Sequence, residues 1–313
     1  MSTNNKKFDF YPIDGLAQAE IREFYSHAKT IFKKYPRKRD YVKYFLRTGL
    51  GLVASPSYAS RKTNAKDQYE EIWTGKTILD TFCDGGTRDL GMVNPTNVLF
   101  EGGLIASERW SLNASIVSTF SSYLRGEGKG KVKILEIGSG NGFNLISLAA
   151  QFPDREFIGL ELTEAGVLAS DKAMKDTRTV INLCNFIFGS NNQYSGKPLK
   201  NIKFIQEDVT RLNPESFPAD LILSVLAQEQ MEQVYEEFKF AIKKMKNTDF
   251  LFFEPYLDFN SSYQSLVLKT KKYLYRNSLE LEKFLDIKIQ TLRMPMKIDK
   301  QKYSFGILKG KTN

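Results

Sequence analysis

The chain has 313 residues, 42% of them hydrophobic and 26% charged, and a formal net charge of +9. That length accommodates one large core, or a core domain with a smaller appendage. No apolar run approaches the roughly 18 residues needed to span a bilayer, and the polar start Met-Ser-Thr-Asn-Asn-Lys-Lys leads into no apolar stretch of a secretory signal.

In chain order, residues 16–83 read as helices separated by loops, with Tyr41, Tyr44 and Phe45 at helical spacing. His27, the one histidine, falls in this region, so any His-dependent triad or His-rich metal site would have to use it. It reads as a packing or surface residue, and no metal site is expected. The densest basic stretch is Lys29 to Arg47, containing Lys33, Lys34, Arg37, Lys38 and Arg39, and residues 269–276 form a second. Such runs can attract nucleic acid, an anionic surface or a phosphorylated substrate, but no nucleic-acid motif accompanies them and they read as solvated helix faces. Residues 84–103, with Gly85, Gly86, Gly91, Pro95, Gly102 and Gly103, read as a long loop of the kind that serves as a lid. Cys83 and Cys184 lie far apart without metal-ligand spacing, which predicts reduced thiols in a cytoplasmic protein.

A helix over 107–125 leads to a Gly/Lys break at 126–131, and from there strands alternate with helices, the signature of a mostly parallel sheet. The predicted strands are 132–137, 156–162, 202–205, 220–226 and 249–253. Helices are predicted over 143–151, from residue 164 onward to a polar break at 190–198, and over 231–244. After a last helical stretch, 287–294 and 303–308 read as two further strands. Their short connection fits an antiparallel pair, because a parallel crossover takes about a dozen residues or more. The division expected is an N-terminal helical region, 1–125, acting as a substrate cover, and an α/β domain, 126–313.

The segment that carries chemistry is Ile134-Leu135-Glu136-Ile137-Gly138-Ser139-Gly140-Asn141-Gly142. A buried strand runs into a glycine-rich turn that opens a helix. Glycine is needed where the main chain turns sharply or a ligand must approach it without a Cβ in the way, and free N–H groups at a helix start can meet a polar or anionic group. Glu161 follows 23 residues after Gly138, at the end of the second strand, where a carboxylate can accept both hydroxyls of a ribose. These features fit any nucleotide-binding doubly wound fold. The spacing G-x-G-x-G, with Phe143 where the dinucleotide fingerprint needs its third glycine, and Glu136 two positions before the first glycine separate the options.

This pattern resembles the first motif of the class I S-adenosylmethionine-dependent methyltransferases. The resemblance covers about residues 130–310. It implies a doubly wound, mostly parallel seven-stranded sheet of order 3-2-1-4-5-7-6 with the seventh strand antiparallel. It also implies S-adenosylmethionine as cofactor, with S-adenosylhomocysteine as product, held by Glu136, Gly138, Ser139, Gly140, Asn141 and Gly142. Glu161 and Leu162 stand where the family binds ribose. Asp208 and Val209 stand after the third strand, near the adenine, with Glu207 able to take the place of Asp208. Ser224 lies in the fourth strand, whose end faces the methionine part.

Methyl transfer from a sulfonium is an in-line displacement, so the enzyme supplies alignment and, for a hydroxyl acceptor, a base. Base-amine methylases of the family carry N/D-P-P-Y/F after the fourth strand, where this chain has Ser224-Val225-Leu226-Ala227. Gln228, Glu229, Glu254, Tyr256 and Asp258 sit near the fourth and fifth strand ends, at the ligand-facing edge of such sheets. Glu229 and Asp258 are the base or hydroxyl-binding candidates, with a helix cap or a solvated charge as the alternative for each. Glu254 is placed to orient the loops. The expected function is O-methylation of a small polar molecule, sugar or glycan. RNA or protein methylation and a cofactor-free binding subunit remain as alternatives.

Overall fold

The computed structural model describes residues 65–74, 96–100, 103–107, 109–188, 191–231, 234–259, 277–293, 296–297 and 306–313. His27, the basic stretches at 29–47 and 269–276, Cys83 and residues 84–95 lie outside them.

The elements are α1 (Ala65–Trp73), β1 (Thr96–Phe100), β2 (Gly103–Ser107), α2 (Arg109–Arg125), β3 (Lys133–Ile137), α3 (Phe143–Gln151), β4 (Glu156–Glu161), α4 (Glu164–Lys175), α5 (Thr177–Phe188), β5 (Ile202–Gln206), β6 (Leu221–Val225), α6 (Tyr235–Lys244), β7 (Asp249–Glu254), α7 (Ser278–Leu285), β8 (Gln290–Arg293), β9 (Met296–Lys297) and β10 (Gly306–Lys311). Seven strands form one sheet in the order β5-β4-β3-β6-β7-β10-β8. The first five pair in parallel, and β10 runs antiparallel to both β7 and β8. This is the expected order, 3-2-1-4-5-7-6.

Both faces of the sheet are buried, so its strands are apolar almost throughout and successive residues serve opposite cores. Ile134, Leu221, Leu223, Leu251, Phe253 and Ile307 pack on one side with Ile116, Phe120 and Leu124 of α2 and with Leu145 and Leu148 of α3. Leu135, Ile137, Ile222, Phe250, Phe252 and Leu308 pack on the other with Phe238 and Ile242 of α6 and Leu281 and Leu285 of α7. Helix α2 therefore belongs to the core of the sheet domain, although the sequence grouped it with the N-terminal cover. Ile116, Phe120 and Leu124 fall at i, i+4 and i+8, one stripe of the helix, and each is fully buried.

The loop expected over 84–103 is corrected at its end. Thr96–Phe100 pairs antiparallel with Gly103–Ser107, with Phe100 opposite Gly103, so only two residues connect the strands. A glycine in a two-residue connection is a hairpin signal, and here it sat inside a longer run of turn formers that masked it. β9, which lies in the connection between β8 and β10, joins this hairpin through Val98 and Leu99, giving a separate three-stranded sheet of order β2-β1-β9.

Arg155 fixes the approach to β3. Its guanidinium donates to the carbonyls of Leu124 at 2.7 Å, Gly128 at 3.2 Å and Lys129 at 3.4 Å, and it stacks on the Phe152 ring 4.6 Å away. Only a forked donor reaches three carbonyls at once. Arg155→Met should therefore lower stability by about 2–3 kcal/mol, and Arg155→Lys should recover less than half of it. Urea midpoints at unchanged slope measure this; equal midpoints for the Lys variant and the parent would contradict it.

Candidate functional site

The site is built on the turn between β3 and α3. Gly138, Gly140 and Gly142 have φ of 68, 55 and 78°, all left-handed. At Gly142, which caps α3, a Cβ would come within 2.7 Å of the Phe204 ring and 3.0 Å of both Ile146 and Ser170, so conformation and space both require glycine. Gly138 and Ser139 donate their N–H groups to the Leu160 carbonyl at 2.8 and 3.0 Å, stitching the turn to the end of β4. The Asn141 side chain accepts from Phe143 N–H at 3.4 Å.

Glu161, at the end of β4, is buried, and its carboxylate gathers both turns. One oxygen accepts from Gly140 N–H at 2.9 Å; the other accepts from Thr163 N–H at 3.1 Å and the Thr163 hydroxyl at 2.6 Å. A carboxylate has about four acceptor positions, so capacity for a further donor is left. Leu162 is half-buried, and its carbonyl accepts from the Gln206 side chain at 3.3 Å. Glu207 N–H donates to the Glu161 carbonyl at 3.0 Å, which brings the end of β5 alongside. Asp208 caps a single 3-10 turn begun by buried Val209, accepting from Thr210 N–H at 2.9 Å.

Glu136 is fully buried. Asn144 Nδ2 donates to Oε1 at 2.6 Å, whereas Oε2 has no partner. Burial pushes its carboxyl up to about 8, the Asn144 bond opposes the shift, and nearby Glu161 adds to it. Ser139 Oγ and Trp73 Nε1 are likewise buried without a hydrogen-bond partner. Trp73 belongs to α1 and lies on the turn: a Cβ at Gly140 would meet its ring at 3.1 Å. An orphaned carboxyl oxygen, a hydroxyl and an indole N–H thus belong to this turn or lie on it.

The opposite wall is the segment after β6. Glu254, at the end of β7, accepts from the Ser224 hydroxyl at 2.8 Å, Ala227 N–H at 3.0 Å and Gln228 N–H at 3.1 Å through one oxygen. It orients this loop, as its position suggested. Leu226 is held at φ 54°, a strained value for a non-glycine residue. Ala227 sits against Gly138, where a Cβ would be 2.5 Å from its own. The Tyr256 hydroxyl, kept neutral chiefly by burial, donates to Gln228 Oε1 at 2.7 Å. That bond leaves the buried Gln228 Nε2 as a donor without a partner.

The two base candidates differ. Glu229 lies in the short 3-10 turn Gln228–Gln230 directly after this wall; its side chain is outside the described residues. Asp258 accepts from Ser278 N–H at 2.8 Å and the Ser278 hydroxyl at 2.5 Å, so both oxygens hold the start of α7, the helix-cap alternative. Sequence reasoning missed Trp73, and it placed Gln228 and Tyr256 at the ligand-facing edge without the hydrogen bond that joins them, since no local pattern links residues so far apart in the chain. Among the described residues no group of three His, Cys, Asp or Glu could hold a metal, and no helix is long and apolar enough to cross a membrane.

Residues 130–240 match the family described as "Putative methyltransferase". No curated protein is matched. Similar solved structures include magnesium protoporphyrin IX methyltransferase from Synechocystis PCC 6803, 14% identical over 64% of this chain and 83% of that one, TM-score 0.45. The plantazolicin methyltransferase BpumL is 13% identical over 96% of this chain and 100% of its own, TM-score 0.44. The methyltransferase domain of bacterial CtHen1 is 16% identical over 64% and 100%, TM-score 0.45.

Glu136 makes stability depend on pH. Its folded pKa of about 8 stands above the ordinary 4.5. The unfolded chain therefore loses this proton first, and the contribution of the neutral carboxyl, complete below about pH 4.5, is lost as pH rises through about 8. Glu136→Gln should be nearly neutral near pH 5 and progressively more stabilising, relative to the parent, toward pH 8. Parallel thermal-melt profiles for the two proteins across that range would contradict the assignment.

Proposed function

We propose that the chain, whose sheet order and glycine turn are those expected of a class I methyltransferase, transfers a methyl group from S-adenosylmethionine to a hydroxyl of a small polar, sugar-like or glycan acceptor. The observation that carries the cofactor half is the turn at 138–142, with three left-handed glycines tied through Gly140 N–H to the Glu161 carboxylate. The residues present fit the cofactor. Glu161 and Leu162 would hold the ribose, Asp208 and Val209 the adenine side, and Glu136, Ser139, Asn141 and Ser224 would line the remaining wall. Glu136 Oε2 and Ser139 Oγ, both buried and unpartnered, are consistent with a polar ligand at this turn.

When bound, S-adenosylmethionine supplies an electrophilic methyl group on a sulfonium. The task of the chain is to align an acceptor with that methyl, exclude water and accept the acceptor's proton. Gln228 Nε2, aimed by Tyr256, is a donor for an acceptor oxygen. Glu229, on the next residue, is the proton acceptor; Asp258 is assigned to fixing the start of α7 instead. The N-terminal segment would serve as the cover, with the reaction in the cytoplasm. The sequence Ser224-Val225-Leu226-Ala227, in place of a base-amine methylase motif, favours a hydroxyl over an exocyclic amine.

Glu161→Ala should weaken S-adenosylhomocysteine binding by about 1.5–3 kcal/mol, the scale of charge-assisted hydrogen bonds. Isothermal calorimetry reads it, and an unchanged dissociation constant would remove the ribose assignment. Once mass spectrometry of turnover mixtures identifies the product, Glu229→Gln should lower turnover roughly 10²- to 10⁴-fold and leave cofactor affinity nearly intact. A methylated RNA or protein as product, with Glu229 immaterial, would replace the hydroxyl assignment.

A further inference from the structure

We infer that Trp73 is a wall of the cofactor pocket contributed by the N-terminal segment, and that its indole N–H donates a hydrogen bond to an oxygen of the bound cofactor. The inference rests on the reading of residues 138–142 as the cofactor site.

Helix α1 is fastened to the very turn that carries Glu161. Glu70 Oε1 accepts from Ala165 N–H at 3.0 Å and Oε2 from Glu164 N–H at 3.1 Å, so its carboxylate covers the first turn of α4. A negative group is favoured there by the helix dipole and by donors that the helix itself cannot use. The next N–H, that of Gly166, goes to the Thr163 hydroxyl oxygen at 3.2 Å. These first three donors of α4 are thus occupied within the protein, and what this helix start holds is α1 rather than a ligand.

Glu70 and Trp73 are three apart and lie on one side of α1. Anchoring the first places the second on the glycine turn. The contacts close a ring: Glu70 to α4, Thr163 to Glu161, Glu161 to Gly140, and Gly140 to the Trp73 indole. Any residue with a Cβ at 140 would crowd the indole, whose ring atom lies 3.1 Å from that position. Within this close contact Nε1 is buried and has no acceptor. A buried donor without a partner is destabilising and rare, and a cofactor rich in hydroxyl and carboxylate oxygens supplies the acceptor. A ring that merely blocked the pocket would leave the N–H unsatisfied with nothing to offset it.

The chain has two tryptophans, Trp73 and Trp110, so Trp110→Phe leaves Trp73 as the sole tryptophan, excited selectively at the red edge of the absorption band. The full-length Trp110→Phe protein is titrated with S-adenosylhomocysteine, following heat and tryptophan emission in parallel. Emission should change along the calorimetric isotherm with the same midpoint. In the parent background, Trp73→Phe, which keeps an aromatic face and loses the donor, should bind roughly 5- to 10-fold more weakly. Trp73→Ala should be weaker still, and Glu70→Gln, which touches no ligand, should lie between parent and Trp73→Ala. Binding heat with silent emission and an unchanged constant in Trp73→Phe and Trp73→Ala would overturn the inference while leaving the cofactor reading standing. Tighter binding by Trp73→Ala would overturn it by showing that the ring obstructs the pocket. Absence of binding heat in the parent would overturn the cofactor reading and the inference together.

Discussion

The carboxylate of Glu161 is the constraint on which the site depends, because it is shared by two turns that come from different strands. It takes Gly140 N–H from the turn after β3 and two donors from Thr163 after β4. Parallel pairing of β3 with β4 brings those strand ends side by side, with Ile137 opposite Leu160. The Leu160 carbonyl completes the junction by accepting from Gly138 and Ser139. A glycine turn alone is a flexible segment with unsatisfied donors. Bonded in this way it is a fixed surface, the preorganisation that binding and alignment need.

A second carboxylate does for the other wall what Glu161 does for this one. Glu254 holds Ser224, Ala227 and Gln228, which keeps Leu226 in its left-handed conformation and Ala227 against Gly138. The backbone strain at Leu226 is small against three hydrogen bonds to a buried carboxylate. Glu136 lies between these two systems, fully buried and neutral over most of the physiological range. Of these three acids, Glu161 and Glu254 each organise a loop by accepting two backbone N–H groups and a hydroxyl, whereas Glu136 accepts from the Asn144 side chain.

Much of this was legible in the sequence because its signals are local. Strand-sized apolar runs alternating with helical segments gave the sheet, and the run from Ile134 to Gly142 with Glu161 marked the turn. What stayed hidden depends on contacts between distant segments. Asp258 looked like a base and is bonded to Ser278, 20 residues away, where a helix start needs an acceptor. Thr96–Phe100 disappeared into a glycine-rich stretch because its partners are its own hairpin arm and two residues near position 296. Trp73 offered no pattern at all; its role follows from Glu70 meeting α4, 94 residues on.

Hydrogen–deuterium exchange of the intact protein with and without S-adenosylhomocysteine tests the central claim most directly. If the cofactor sits where the turn after β3 meets the end of β4, peptides covering 134–142 and 159–166 should gain protection together, at the same ligand concentration. Protection confined to other parts of the chain, or of one turn without the other, would contradict the account.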